Sequence, residues 1–150
     1  MENEFNIKLE GTTLYVYLGY ELMNENAPVL QNELKKFCGQ QITKIVYDAT
    51  DLVFISSSGI RAISFTFNGL GRSPEVEFVN CAQKLYETLE IVGFTKIINF
   101  VKDDSRKGKT ELLNPKLKSK VKELQQQQLD YFSANNDVVM YQMKLGGEED

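Results

Sequence analysis

The stretch DATDLVFISSSGIR, residues 48–61, decides the fold of this chain. A β-branched run from Lys44 to Tyr47 leads into it and predicts a central strand, and Leu52 to Ile55 predicts a second, short extended segment. A run of hydroxyls then opens an apolar helix that we expect from about Ser58 to Asn68. A strand, a polar turn and a helix in this order are typical of an α/β domain.

The rest of the domain continues the same alternation of strands and helices. Apolar residues that alternate with polar ones predict an N-terminal β-hairpin over residues 4–18. A helix is expected from Ala27, with Asn26 as its N-cap and Gly39 beyond its end. Three further segments follow: a strand over 76–79, a helix over 83–92 and a short strand over 97–101. We therefore predict an α/β domain, within residues 1–102, in which helices flank a mixed β-sheet.

Residues 103–150 differ from this domain and are interpreted as a linker and a C-terminal extension. Between Lys102 and Lys122 there are eight Lys or Arg and three Asp or Glu, and residues 106–109 resemble a solvated linker. An apolar stripe predicts a helix over about residues 115–133, whereas residues 137–145 fit a strand or a helical turn equally well. The extension either docks on its own domain or on the mate in a homodimer, or it serves as a partner-binding arm.

The composition limits what this chain does. Apolar residues make up 42% of the 150 residues, enough for one core, and the net charge of −4 argues against nucleic acid as the main partner. No run approaches the roughly 20 apolar residues of a membrane span. The acidic N-terminal residues lack the features of a signal peptide, so we expect a cytoplasmic location without membrane contact.

The chain contains no histidine and only two cysteines, Cys38 and Cys81. A Ser-His-Asp triad and zinc sites of the His or Cys/His kinds are therefore excluded within this chain. Both thiols are expected to be reduced and partly buried. Asp48 at a strand end suggests a phosphorylated receiver domain, but the sequence lacks the N-terminal acidic cluster that such a domain needs for Mg²⁺. We expect no catalytic residue, no metal and no cofactor.

The run of hydroxyls allows two interpretations. Serine at a helix N-terminus commonly caps the helix, and either Ser56 or Ser58 suits that role. The same position also tolerates a phosphate, because the first N–H groups point outward and the helix dipole is positive there. Sites in open α/β sheets form beyond the carboxyl ends of strands, where this turn lies. Gly59 is expected to allow a close backbone approach, and Asp48 and Asp51 either hold the loop through hydrogen bonds or lie at the surface.

Over about residues 4–102 the chain resembles the STAS domain of bacterial anti-sigma factor antagonists. The family motif joins an aspartate, a hydroxyl and a phenylalanine to a hydroxyl-rich turn that precedes Gly-Leu or Gly-Ile. Here it is matched by Asp48, Thr50, Phe54, Ser56, Ser57, Ser58, Gly59 and Ile60. An upstream family segment is matched by Gly19, Glu21, Leu22, Ala27, Pro28 and Leu30. Downstream, the family's strand, helix and turn are matched by Val79–Cys81, Leu85, Leu89, Gly93–Phe94 and Lys96–Ile98.

The resemblance implies a non-enzymatic switch with a STAS-like fold. In this family the unphosphorylated protein binds an anti-sigma factor that is a serine kinase, which then releases its sigma factor. The kinase phosphorylates the first serine of the Ser-Ser-Gly turn, which falls on Ser57, and a PP2C-type phosphatase restores the free form. The switch loop and partner surface around it would comprise Asp48, Thr50, Ser56, Ser58, Gly59 and Arg61.

Two positions depart from the family pattern, and two other functions stay open. Ser56 stands where the family often has an acid, although Arg61 agrees with a subset that has serine there, and Met23 replaces an upstream aspartate. The surface around Ser57 is therefore less negative, which would change the kinase that recognises it. One alternative is a STAS interaction module that is not phosphorylated and uses the extension. The other is a small α/β enzyme or ligand-binding domain.

Overall fold

The computed structural model describes residues 5–68, 74–106 and 115–135. Along the chain its elements are β1 (Asn6–Glu10), β2 (Thr13–Tyr17), β3 (Glu21–Leu22), α1 (Ala27–Lys35), β4 (Lys44–Asp48), β5 (Phe54–Ile55), α2 (Ser57–Asn68), β6 (Glu75–Val79), α3 (Gln83–Ile91), β7 (Asn99–Val101) and α4 (Pro115–Ala134). A short 3₁₀ turn, Phe94–Lys96, separates α3 from β7.

The main sheet has five strands in the order β1-β2-β4-β6-β7. The hairpin strand β1 runs antiparallel to β2, and the remaining neighbours run parallel to one another. Three consecutive residues of β4, Ile45 to Tyr47, are buried, so both faces of this central strand are covered. Helix α1 packs against α2, and α3 packs against α4. The predicted α/β fold, with helices flanking a mixed sheet, is thus confirmed.

A second, very short sheet lies beside the hydroxyl-rich turn. Strands β3 and β5 pair in parallel, with Glu21 opposite Phe54 and Leu22 opposite Ile55. The side chains of Leu22 and Ile55 are fully buried in the core. This pairing connects the chain ahead of α1 to the chain ahead of α2, and it fixes where α2 begins.

The prediction that Asn26 caps α1 through its side chain is wrong. The Asn26 backbone is already in the right-handed helical region, whereas a capping residue is usually extended, and its side chain makes no capping bond. Its Oδ1 accepts a hydrogen bond from the Met23 N–H at 2.8 Å, and its amide donates to the Glu21 carbonyl at 2.8 Å. Asn26 therefore ties the start of α1 back to β3.

The last strand of the sheet begins later than the predicted range of 97–101. The 3₁₀ turn captures the residues before it, because the N–H groups of Ile97 and Ile98 both donate to the Phe94 carbonyl, at 3.1 and 2.9 Å. Strand pairing with β6 therefore covers only Asn99 to Val101.

Helix α4 belongs to the C-terminal extension and docks on its own domain. Phe132 is buried within the main core, and Leu129 is almost fully covered. Apolar burial of this kind, rather than helix propensity, provides most of the stability of a protein helix. The segment predicted over residues 137–145 lies outside the described residues.

Candidate functional site

Ser56 caps helix α2. Its Oγ accepts a hydrogen bond from the Gly59 N–H at 3.3 Å, and its carbonyl accepts one from the Ile60 N–H at 3.0 Å. Ser57 and Ser58 therefore occupy the first two helical positions, and both side chains are half-buried at the surface. Their own N–H groups have no hydrogen-bond partner among the described residues, which leaves donors available at the positive end of the helix.

Gly59 lies against β3 with no room for a side chain. A Cβ placed on Gly59 would come within 2.5 Å of the Leu22 carbonyl oxygen and 2.8 Å of the Ile55 Cγ1. The same Leu22 carbonyl accepts a hydrogen bond from the Ser56 N–H at 2.9 Å. The glycine therefore lets α2 start close to the short sheet and holds the hydroxyl-rich turn near β3.

Asp48 and Thr50 belong to a polar network rather than to the start of α2. The Thr50 N–H and hydroxyl donate to Asp48 Oδ1 at 3.0 and 2.5 Å, and Arg106 Nη1 donates to Asp48 Oδ2 at 3.0 Å. The Asn80 amide donates to Thr50 Oγ1 at 3.0 Å, and it exchanges hydrogen bonds with the Asp103 backbone. The network ties together the carboxyl ends of β4, β6 and β7.

One residue of this network, Arg106, departs from what its sequence context indicates. Arg106 was expected in a solvated linker, but it is half-buried and bridges Asp48 and Asp103. Asn80 adopts a left-handed backbone with φ of 60°, a conformation that asparagine tolerates better than most residues. Hydrogen bonds from the Ser105 side chain and backbone, followed by those from Arg106, lower the pKa of the exposed Asp103 carboxyl.

Asp51 lies in the interior rather than at the surface. Its Oδ2 accepts a hydrogen bond from the Tyr17 hydroxyl at 2.7 Å, and its side chain is almost fully buried. Burial, followed by this hydrogen bond to a carboxylate, raises the pKa of Tyr17. Asp51 therefore fixes the loop between β4 and β5 against β2.

Arg61 lies one turn into α2 and lines a shallow groove between α1 and α2 together with Ser58, Pro28, Gln31, Asn32 and Lys35. A larger open groove of about 600 Å³ lies at the carboxyl edge of the main sheet, beside the polar network.

Within the described parts of the chain, no three His, Cys, Asp or Glu residues approach closely enough to hold a metal ion. The predicted site residues thus form two groups: Ser56 to Arg61 on α2, and Asp48 with Thr50 in the network.

Two residues of α4 bond to the backbone just ahead of Ser56, and neither is among the predicted site residues. Gln125 and Gln128 of α4 form hydrogen bonds with the backbone of Val53 and Ile55, just ahead of Ser56. The sequence shows only a glutamine run inside a predicted amphipathic helix, and such a run indicates no particular contact.

A sequence model of the STAS domain matches residues 4–107. This chain belongs to the STAS domain family. The family match ends before α4, so the glutamine contacts lie outside it. Among curated protein sequences, none matches the chain significantly.

Solved structures of STAS proteins share the fold at low sequence identity. The unphosphorylated anti-sigma factor antagonist SpoIIAA is 16% identical with a TM-score of 0.53, and the match covers 67% of this chain and 88% of SpoIIAA. An anti-sigma factor antagonist from Mycobacterium paratuberculosis is 16% identical with a TM-score of 0.57, over 65% of this chain and 84% of that protein. The phosphorylated form of the Bacillus cell fate determinant SpoIIAA is also 16% identical, with a TM-score of 0.50 over 68% of this chain and 95% of that one.

A helix that crosses a membrane must be both long and apolar. Among the described residues, no helix combines the length and the apolar character needed to cross a membrane.

Proposed function

We propose that this STAS domain is a cytoplasmic anti-sigma factor antagonist without enzymatic activity. In the unphosphorylated form it binds an anti-sigma factor that is a serine kinase, and the sigma factor is released. The kinase phosphorylates Ser57, which ends binding, and a PP2C-type phosphatase reverses the modification. The observation that carries the proposal is the place of Ser57, half-buried at the surface in the first position of α2, directly after a capping serine.

The helix N-terminus explains how the fold would tolerate a phosphate on Ser57. Phosphorylation adds about 1.5 to 2 negative charges and three strong acceptors. The N–H groups of Ser57 and Ser58 are available as donors among the described residues, and the first turn of α2 holds no acidic residue. The phosphate would therefore be stabilised where it is added, and the domain would not need to unfold to respond.

The same phosphate would exclude a partner. A protein surface packed over Ser57 would enclose a dianion without a matching cation, which costs several kcal/mol. A loss of about 4 kcal/mol corresponds to about a thousandfold weaker binding. Electrostatic and steric exclusion at the interface would thus be enough for switching, with little conformational change.

The remaining site residues would support the switch in different ways. Ser56 and Gly59 set the start of α2, and Ser58 and Arg61 contribute to the surface that the partner meets. Asp48 and Thr50 would act from the neighbouring network by holding the loop after β4.

Incubation with ATP and a serine-kinase anti-sigma factor from the same organism tests the modification. The intact mass is expected to rise by one phosphate, and Ser57→Ala should abolish the rise. Ser58→Ala is the matched control, because its hydroxyl is one position further into the same helix, and it should still be modified. A mass gain that survives Ser57→Ala, or no gain with any such kinase, would contradict the assignment.

Calorimetry of binding to the kinase distinguishes the proposed antagonist from the alternative function, a STAS interaction module that is not phosphorylated. Ser57→Asp is expected to weaken binding to the kinase by at least about tenfold, because an added charge lies under the interface. Equal affinity of Ser57→Asp and the parent protein would instead favour a module that binds its partner elsewhere, for example through the extension.

A further inference from the structure

Helix α4 contacts the backbone of the strand that leads into Ser57. The Gln125 side-chain amide donates to the Val53 carbonyl at 2.9 Å, and the Ile55 N–H donates to the Gln128 side-chain carbonyl at 3.2 Å. Residues two apart on a strand are about 7 Å from each other along the chain, and residues three apart on a helix are neighbours on one face. The two amides are therefore spaced to bind the backbone of the segment from Val53 to Ile55.

The same segment also bonds to the chain at Tyr20 and in β3. The Val53 N–H donates to the Tyr20 carbonyl at 2.8 Å, and the Ser56 N–H donates to the Leu22 carbonyl at 2.9 Å. Because β3 and β5 pair over only two residues, this ladder is too short to order the segment strongly by itself. The segment from Val53 to Ser56 thus has backbone hydrogen bonds both to the chain from Tyr20 to Leu22 and to α4.

The position of α4 is fixed independently of these two bonds. Phe132 and Leu129 bury their side chains, and Lys84 on α3 donates to the Gln126 side chain. Gln125 is itself buried, so its amide has little access to water as an alternative partner. Loss of the Gln125 side-chain amide would leave the Val53 carbonyl without this partner in a covered site.

We propose that Gln125 and Gln128 are positioning residues for the switch loop, and that docking of α4 controls how rigidly Ser57 is presented. When α4 is docked, its glutamines hold the backbone from Val53 to Ile55. When it lifts, both backbone groups lose their partners and the loop opens more often. The part of this inference that concerns phosphorylation rests on the proposed function, whereas the ordering of the loop does not.

Amide hydrogen exchange of the full chain, measured residue by residue by NMR, tests the ordering. The variant Gln125→Met with Gln128→Met keeps side-chain length and removes both amides. The exchange of the Ile55 amide is expected to become about tenfold faster, since a hydrogen bond of ordinary net strength corresponds to about that factor. The amide of Ile45 in β4 should keep its rate, which shows that the sheet is intact.

Gln127→Met is the matched control, because Gln127 is exposed in the same glutamine run. It should leave the Ile55 amide within about twofold of the parent rate, because no loop contact is removed. If the double variant does not fold, Gln128→Met alone should still accelerate exchange at Ile55, because Gln128 is the direct acceptor. An unchanged Ile55 rate in a folded variant that lacks Gln128 would overturn the inference.

A second readout separates this inference from the proposed function. The rate of Ser57 phosphorylation by the anti-sigma kinase should fall about threefold or more in the double variant, because the kinase must then order the loop itself. Faster exchange with an unchanged phosphorylation rate would overturn the positioning role and leave the proposed function intact. If the parent protein is not phosphorylated at all, the proposed function fails, and the exchange rates alone decide whether α4 orders the loop.

Discussion

Replacing Gly59 by alanine tests the close packing between α2 and the short sheet. The added Cβ would lie 2.5 Å from the Leu22 carbonyl oxygen and 3.0 Å from the Leu22 Cγ. A flexible side chain could rotate away, but a backbone oxygen moves only if β3 moves. That oxygen also accepts the Ser56 N–H at 2.9 Å, so the shift would disturb the start of α2.

Two opposing effects set the size of the change. Alanine is favoured over glycine in a helix interior by about 1 kcal/mol, so propensity alone predicts a more stable protein. Overpacking of a filled site costs about 1 to 3 kcal/mol, and a weakened Ser56 hydrogen bond adds about 1 kcal/mol. We therefore expect Gly59→Ala to lower the free energy of unfolding by about 2 kcal/mol, a large part of the 5 to 15 kcal/mol typical of a domain.

Equilibrium unfolding in urea measures this difference, provided that the slope of the transition is the same for both proteins. Ser58→Ala is the control, since it places an alanine at the adjacent helical position without a comparable clash, and its effect should stay within about 0.5 kcal/mol. If Gly59→Ala is as stable as the parent protein or more stable, helix propensity outweighs the contact and the packing argument is refuted.

Three further predictions concern single side chains. Ser56→Ala should destabilise the protein by about 1 kcal/mol in urea unfolding because α2 loses its cap, and Ser56→Asp should restore most of that stability. Burial raises the pKa of the Cys81 thiol to about 12, so iodoacetamide at pH 8 should modify the exposed Cys38 first, as peptide mass spectrometry can show. Hydrogen bonds from Ser105 lower the folded-state pKa of Asp103, so its stabilising contribution is present above its ordinary pKa of 3.8 and is lost as the pH falls through the lower folded value. Asp103→Asn should weaken this dependence of stability on acid pH. An NMR titration of the Asp103 carboxyl whose midpoint is not below 3.8 would contradict the prediction.

The elements that carry local signals could be predicted from the sequence. The alternation in the hairpin, the buried run of β4 and the hydroxyl opening of α2 each depend on nearby residues, so periodicity and capping preferences suffice. The family motif added the alignment that places the expected phosphorylated serine at Ser57, two residues before Gly59. These signals predict a mixed sheet and the order of the strands and helices along the chain.

The contacts that organise the site depend on residues distant in sequence. The local sequence predicts a solvated linker at Arg106, because nothing near it in the chain reveals that Asp48 lies 3.0 Å away. The prediction for Asn26 is wrong for a similar reason: its side chain bonds with the backbone of Glu21 and Met23 instead of its own helix. The partner of Gln125 is the Val53 backbone carbonyl, and a backbone carbonyl has no sequence signature.

The attachment of α4 to the chain ahead of Ser56 uses main-chain atoms of that chain and none of its side chains. Gln125 and Gln128 recognise a main-chain carbonyl and a main-chain N–H, which every amino acid except proline provides. Substitutions at Val53 and Phe54, whose side chains are half-buried at the surface, can therefore change those side chains without breaking the attachment to α4. The two side chains are free to diversify while α4 continues to hold the backbone that carries them.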